Sequence, residues 1–154
     1  MTTEATVCII IRDGCILLQK KTAGRFGEGK WNGPGGKLGP GETPENCARR
    51  EVLEETSLRV RDLMLHGALR HYFGQVDDPD WIVYQFSATD FDGEPKESDE
   101  GVLRWFPFDE IPYGEMWQDD EHWLPLLLDG KDFTGDFYFN EDGSELLDFT
   151  LTVR

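Results

Sequence analysis

The chain predicts an α/β layered domain, a mixed β-sheet lying between helices. Three observations predict it. Short runs of strand character recur along the whole sequence, two helical stretches interrupt them, and the dipeptides Asp13-Gly14 and Asp142-Gly143 mark tight turns. The 154 residues show no repeat, low-complexity tract or break in composition, so the chain 1–154 is expected to be a single domain with a substantial core.

The elements follow in order. Thr6–Ile11 (TVCIII) and Cys15–Gln19 (CILLQ) read as strands joined into a hairpin by Asp13-Gly14. The segment from Thr22 to Asn32 reads as a loop that runs into a glycine-rich stretch (Gly33, Gly35, Gly36). Thr43 then offers an N-cap and Pro44 suits the first helical position, predicting a helix over 44–56 with no interior Gly or Pro. Leu65–Phe73 and Trp81–Ala88 read as strands on either side of a turn-rich segment, and Gly93–Glu100 as a polar loop. Val102–Phe106 reads as a short strand and Glu121–Leu128 as a second helix, with Pro125 tolerated only near its first turn. Phe133–Asn140 and Glu145–Val153 alternate apolar and polar residues around Asp142-Gly143, suggesting a closing hairpin.

Composition excludes several classes. A formal net charge of −16, with 31 acidic residues against 15 basic ones, opposes binding to a nucleic-acid polymer, whose phosphates need a basic surface. It does not oppose small phosphorylated ligands whose charge a metal ion neutralises. No stretch approaches the roughly 18 apolar residues of a membrane span, and the first residues lack signal-peptide features, so a cytoplasmic protein is expected. The odd cysteine count (Cys8, Cys15, Cys47) suggests reduced thiols rather than a disulfide framework.

The first helix carries the chemistry. Glu51, Glu54 and Glu55 stand at i, i+3 and i+4, so one helical face bears three carboxylates. Hard oxygen donors at this density suit Mg²⁺, which bridges carboxylates to substrate phosphates. The glycines before the helix let backbone approach closely and could offer a carbonyl to such an ion. Arg50 is placed to pair Glu54 at i+4. A solvated acidic face is the simpler alternative, since like charges at this spacing cost only about 0.2–0.5 kcal/mol per pair.

From Gly36 to Leu58 the chain reads GKLGPGETPENCARREVLEETSL. This resembles the signature of the Nudix hydrolases: Gly36, then Glu42, then Arg50-Glu51-Val52-Leu53-Glu54-Glu55, with Ser57 in place of the last glycine. The resemblance implies the Nudix fold, a Nudix box over 36–58, and hydrolysis of a nucleoside diphosphate linked to another group. Mg²⁺ would be the cofactor, with Mn²⁺ as a possible substitute. It also implies that Gly36, Glu51, Glu54, Glu55 and Glu100 surround the metal, with Arg50 among the catalytic residues. An acidic residue of this group would be the base; which one is left open.

Segments outside that box narrow the resemblance. Lys30–Lys37 (KWNGPGGK), ESDE at 97–100, MWQDD at 116–120, WLPLLL at 123–128 and DFTL at 148–151 look like the animal-type branch of MutT homologues, which hydrolyse oxidised purine nucleoside triphosphates such as 8-oxo-dGTP. By that likeness Asn32, Asp119 and Asp120 would meet the base edge and Trp117 would stack on the purine. Thr6 and Lys21 would lie near the nucleotide, and Phe26 and Phe73 would be aromatic pocket residues. Plainer roles exist for each: Asp119-Asp120 could cap the second helix, Asn32 could shape the turn at Gly33, and Lys21 could be a solvated strand end. Trp117, Phe26 and Phe73 could be core, and His66, His71 and His122 read as ordinary structural or surface histidines. Gln118 stands where the branch usually has Pro, and Arg70 and His71 where it has more apolar side chains. A monomer acting on a small nucleotide is expected. The rivals are an enzyme cleaving ADP-ribose or another nucleotide sugar, a prenyl-diphosphate isomerase lacking its acid–base cysteine, and a non-catalytic nucleotide sensor.

Overall fold

In the computed structural model, residues 1–22, 24 and 28–154 are described. Strand β1 (Thr3–Arg12) turns into β2 (Cys15–Lys21) at Asp13-Gly14. Both turn residues have positive φ, 53° and 74°, as a two-residue hairpin turn whose twist matches its strands requires. The two strands pair only next to that turn, from Arg12↔Cys15 to Ile10↔Leu17, and then part.

What fills the gap is the glycine-rich stretch. Two short strands, β3 (Trp31–Asn32) and β4 (Gly35–Lys37), pair β2 and β1. A loop was expected up to Asn32, with no strand in the glycines. Close approach explains the difference: a Cβ on Gly35 would stand 1.9 Å from the Thr6 carbonyl oxygen, so glycine is what lets this backbone pair at all. Helix α1 spans Pro44–Thr56 as expected, and its N-cap Thr43 accepts from the Asn46 N–H at 3.2 Å. Ser57 ends it in the left-handed conformation (φ 67°), its N–H reaching the Leu53 carbonyl.

The remaining strands are β5 (Arg59–Val60), β6 (Met64–Phe73), β7 (Trp81–Ala88), β8 (Phe91–Asp92), β9 (Gly101–Pro107), β10 (Phe133–Phe139) and β11 (Leu146–Val153). The main sheet runs β11-β10-β6-β7-β1-β2-β3, with β4 on β1 and β9 on β2. It is mixed: β1 runs parallel to β7, and β10 parallel to β6, while their other neighbours are antiparallel. Helix α2 spans Asp120–Leu128, one residue earlier than expected, and Pro125 lies in its second turn rather than its first. Burial of Trp123, Leu124 and Leu127 offsets the hydrogen bond this proline removes.

Alternation along β1 divides the core into two layers. Val7 and Ile9 join the cluster that includes Trp123, Leu124 and Leu127 of α2, whereas Cys8 and Ile10 join the one that includes Ala48 and Val52 of α1. The sheet therefore lies between the two helices. All three cysteines are free, with Cys8 and Cys47 buried.

Candidate active site

One cavity of about 490 Å³ opens between the β1–β4 region, the C-terminal half of α1 and the segment leading into α2. Thr6, Lys21, Asn32, Gly36, Glu51, Glu55, Phe73, Glu100, Trp117, Asp119 and Asp120 line it. These come from strands, a helix and loops scattered over the whole chain. Glu54 and Arg50 are not among the lining residues, and Phe26 lies outside the described residues.

The acidic end is graded rather than uniform. Glu55 is buried (1 % exposed), its Oε1 accepting from Lys21 Nζ at 3.2 Å and its Oε2 from the Gly35 N–H at 3.2 Å. Glu51 is half-buried, and Glu54 projects to the exposed rim, where Arg50 Nη1 donates to both its oxygens at 3.1 Å. The three glutamates thus share a face by spacing but differ sharply in solvent access. A Cβ on Gly36 would come within 2.1 Å of Glu51 Oε2, so glycine here leaves room for that carboxylate. Burial pushes the Glu55 carboxyl up to about 7, opposed by Lys21 and reinforced by the charges of Glu51 and Glu100. Glu51 is raised too, first by burial and then by Glu54 and Glu100, against the pull of Arg50 and Lys21.

Arg50 organises the helix start from outside the cavity. Its guanidinium binds Glu42 through Nε and Nη2, reaches the Lys37 carbonyl, and spans to Glu54. Thr6 lines the cavity, but its hydroxyl lies 3.4 Å from the Cys47 thiol, which also donates to the Gly36 carbonyl. Lys21 is no solvated strand end, since its ammonium is held by Glu55 and Gln19.

The opposite end is aromatic and polar. Asp119 and Asp120 are 3 % and 4 % exposed, and Asp119 makes no side-chain cap to α2. Instead Trp123 Nε1–H donates to Asp119 Oδ2 at 3.1 Å and to Asp120 Oδ1 at 3.2 Å. Burial, then the charge of Asp119, pushes the Asp120 carboxyl well above the usual carboxylate range. Asn32 does serve the turn, accepting from the Gly33 N–H at 2.9 Å, and lines the cavity as well. Trp117 meets Phe139 edge-on at 6.4 Å, and Lys30 Nζ lies 5.2 Å from its ring centroid. Gln118 uses its side chain to accept from the Leu146 N–H at 2.7 Å, tying the Trp117 loop to β11.

The cavity residues not proposed for the site from sequence include Lys30, His71, Trp81 and Gln85. His71 corrects the reading of it as an ordinary histidine, because its Nε2 lies 2.9 Å from Asp119 Oδ2. A polar residue at an otherwise apolar strand position was the available signal.

A NUDIX domain model matches residues 1–127. The chain belongs to the Nudix family. It is 46 % identical over 143 residues to the oxidized purine nucleoside triphosphate hydrolase of Danio rerio, covering 92 % of this chain and 88 % of that one. The Mus musculus protein of the same name is 42 % identical over 147 residues, covering 95 % and 92 %. In structure it is similar to a mutator MutT protein from Bacillus halodurans, with a TM-score of 0.86, 30 % identity and 97 % of each chain covered. The chain is thus a Nudix hydrolase with the Nudix fold.

Nudix hydrolases generally need a divalent metal ion, and the residues present fit one. The donors facing the acidic end are all oxygen: the carboxylates of Glu51, Glu55 and Glu100. After burial, the charge of Glu100 adds to the proton affinity of both Glu51 and Glu55, the repulsion that a cation relieves. Among the described residues no group of three acidic, His or Cys side chains is gathered to hold an ion as it stands. Glu54 is turned to Arg50, and Glu55 to Lys21 and Gly35.

Proposed function

We propose that this enzyme hydrolyses oxidised purine nucleoside triphosphates of the 8-oxo-dGTP kind to nucleoside monophosphate and pyrophosphate, with Mg²⁺ as cofactor and Mn²⁺ as a substitute. The observation that carries the reading is that one cavity joins the carboxylates of Glu51, Glu55 and Glu100 to the buried Asp119-Asp120 pair beside Trp117. The animal relatives' names point the same way.

The polyphosphate lies toward the acidic end. Glu51, Glu54, Glu55 and Glu100 hold the cation there, directly or through water, with the Gly36 carbonyl beside them. When bound, such an ion would offset the charge of the triphosphate and supply an activated water at phosphorus. One of the four glutamates takes the proton of that water. Arg50 keeps Glu54 and the helix start in register, and Lys21 keeps Glu55 in place.

At the other end the purine stacks on Trp117, a contact worth about 1–3 kcal/mol and tolerant of base identity. Phe73 extends the apolar wall. Discrimination therefore falls to hydrogen bonds. Oxidation at C8 turns N7 from acceptor to donor and adds a carbonyl. Asp119 and Asp120 share one proton, so the pair offers a donor as well as acceptors, and Asn32 offers both. The working unit is a monomer, one domain over 1–154, acting in the cytoplasm on small nucleotides rather than on nucleic-acid polymers or membranes.

The test is a panel of 8-oxo-dGTP, 2-oxo-dATP, dGTP and ADP-ribose, with pyrophosphate detection and omission of Mg²⁺. Metal-dependent pyrophosphate release, fastest from an oxidised purine, is expected. Preferential cleavage of ADP-ribose to two monophosphate esters, or binding without turnover, overturns the reading.

A further inference from the structure

His71 stands in β6 facing the acidic pair across the cavity wall. Its Nε2 lies 2.9 Å from Asp119 Oδ2, the oxygen that also accepts from Trp123 Nε1–H. An indole N–H is a donor and nothing else. Oδ2 is therefore engaged as an acceptor, an arrangement that favours a hydrogen on His71 Nε2 over one on Asp119 Oδ2. The other ring nitrogen agrees: Nδ1 is buried and, among the described residues, without a hydrogen-bond partner, which suits a bare lone pair better than an N–H. The imidazole is fixed in orientation by Phe137, stacked at 5.8 Å, and Phe139 at 6.1 Å.

The same bonds leave one atom of the pair over. Trp123 takes Asp120 Oδ1, while Asp120 Oδ2 is buried and, among the described residues, has no hydrogen-bond partner, in a residue that lines the cavity. We propose that His71 is a positioning residue that fixes the order of the pair, holding Asp119 as the acceptor and leaving Asp120 Oδ2 as the donor that faces the substrate. Without a second donor on Asp119, the single proton can sit on either carboxyl, and the polar edge offered to the base loses its order. The inference rests on the functional reading above for its substrate, but not for its geometry.

The groups around the pair are few and named. Burial and then Asp119 hold Asp120 toward its protonated form, against Trp123 of α2, Lys30 from the loop before β3 and the Trp117 backbone. Tyr113, in the turn before α2, lies close enough to feel the Asp120 charge. Arg70 and Tyr72 flank His71 in β6 but bond Asp136 of β10 instead. Trp81 is opposite His71 in the β6–β7 register, and Phe137 and Phe139 bring no charge from β10.

The experiment compares wild type, His71→Phe and His71→Gln. Phe keeps the aromatic packing without a donor, and the Gln amide can restore one. In His71→Phe, KM for 8-oxo-dGTP is expected to rise about tenfold, the scale of one hydrogen bond to a charged group, with kcat changed less than about twofold. The alkaline limb of kcat/KM should move, because the lost donor no longer sets which carboxyl of the pair keeps the proton. His71→Gln should recover much of both. An unchanged KM and pH limb in His71→Phe overturns the proposal, as does an equal loss in His71→Gln.

A substrate-free readout separates this from failure of the functional reading. Ring-nitrogen NMR of the free wild-type enzyme should show His71 protonated on Nε2 and bare on Nδ1. The opposite tautomer overturns the proposal whatever the enzyme hydrolyses. The expected tautomer with no turnover of any oxidised purine triphosphate counts against the substrate assignment alone.

Discussion

Arg50 grips Glu42 through two parallel hydrogen bonds, Nε to Oε2 at 2.8 Å and Nη2 to Oε1 at 2.9 Å. The pair pins the loop before α1 to the helix that follows. Glu42 Oε1 also accepts from the Gly39 N–H, so one carboxylate closes both ends of that loop. These bonds, those from Arg50 first, hold the Glu42 carboxyl down to about 2 from its ordinary 4.5.

A pH signature follows from that depression. A group whose folded value lies below its unfolded one contributes stability above the unfolded value and loses it as pH falls through the folded one. The window is therefore from about 4.5 down to about 2. In chelated buffer, wild type should melt above Glu42→Gln at neutral pH, and the gap should close as the buffer is taken into that window. A gap that stays constant with pH would show that Glu42 contributes by packing alone.

The carboxylates at the acidic end should be needed for turnover and not for folding. Glu55→Gln and Glu54→Gln should each lower kcat by about 10²–10⁴, the range for loss of a proton-transfer or charge-stabilising group. Circular dichroism should leave both variants indistinguishable from wild type. Turnover within a few-fold of wild type in either variant contradicts the role given to these glutamates.

Base selectivity should reside in the buried pair. Asp119→Asn and Asp120→Asn are each expected to cut the ratio of kcat/KM for 8-oxo-dGTP over dGTP by about tenfold or more, since each disturbs a buried hydrogen bond to the base edge. The ratio comes from steady-state kinetics on both substrates. Selectivity that survives both substitutions unchanged refutes the shared proton.

Ser57 should be a place where stability can be gained. It holds φ 67° at the end of α1, a conformation that costs an L residue with a Cβ roughly 1–2 kcal/mol. Ser57→Gly relieves that cost and loses part of the gain to unfolded-chain entropy, for a net stabilisation of about 0.5–1 kcal/mol by denaturant titration. Activity should not change.

Much of this was legible before the structure, and the exceptions share a cause. Helix α1 and strand β7 have the expected bounds, because Thr43-Pro44 and an unbroken WIVYQFSA run carry their own signals. The Nudix box and the WQDD segment named residues from distant parts of the chain, of which the structure brings Glu51, Glu55, Asp119 and Asp120 to one cavity. Strands β3, β4, β5 and β8 were not legible. They are two or three residues long and exist because a neighbour offers an edge, which no periodicity records. The parallel pairings of β1 with β7 and of β10 with β6 are likewise set by packing between remote segments. His71 was missed for the same reason: its partner Asp119 lies 48 residues away in sequence.

The central claim is that carboxylates on α1 hold a divalent cation beside the triphosphate. Anomalous diffraction from crystals soaked with Mn²⁺ and a non-hydrolysable nucleotide tests it most directly. The account predicts a peak at the acidic end of the cavity, bonded to oxygen of Glu51 or Glu55 and to a phosphate of the nucleotide. A bound nucleotide with its phosphates elsewhere, and no manganese at those carboxylates, would contradict it.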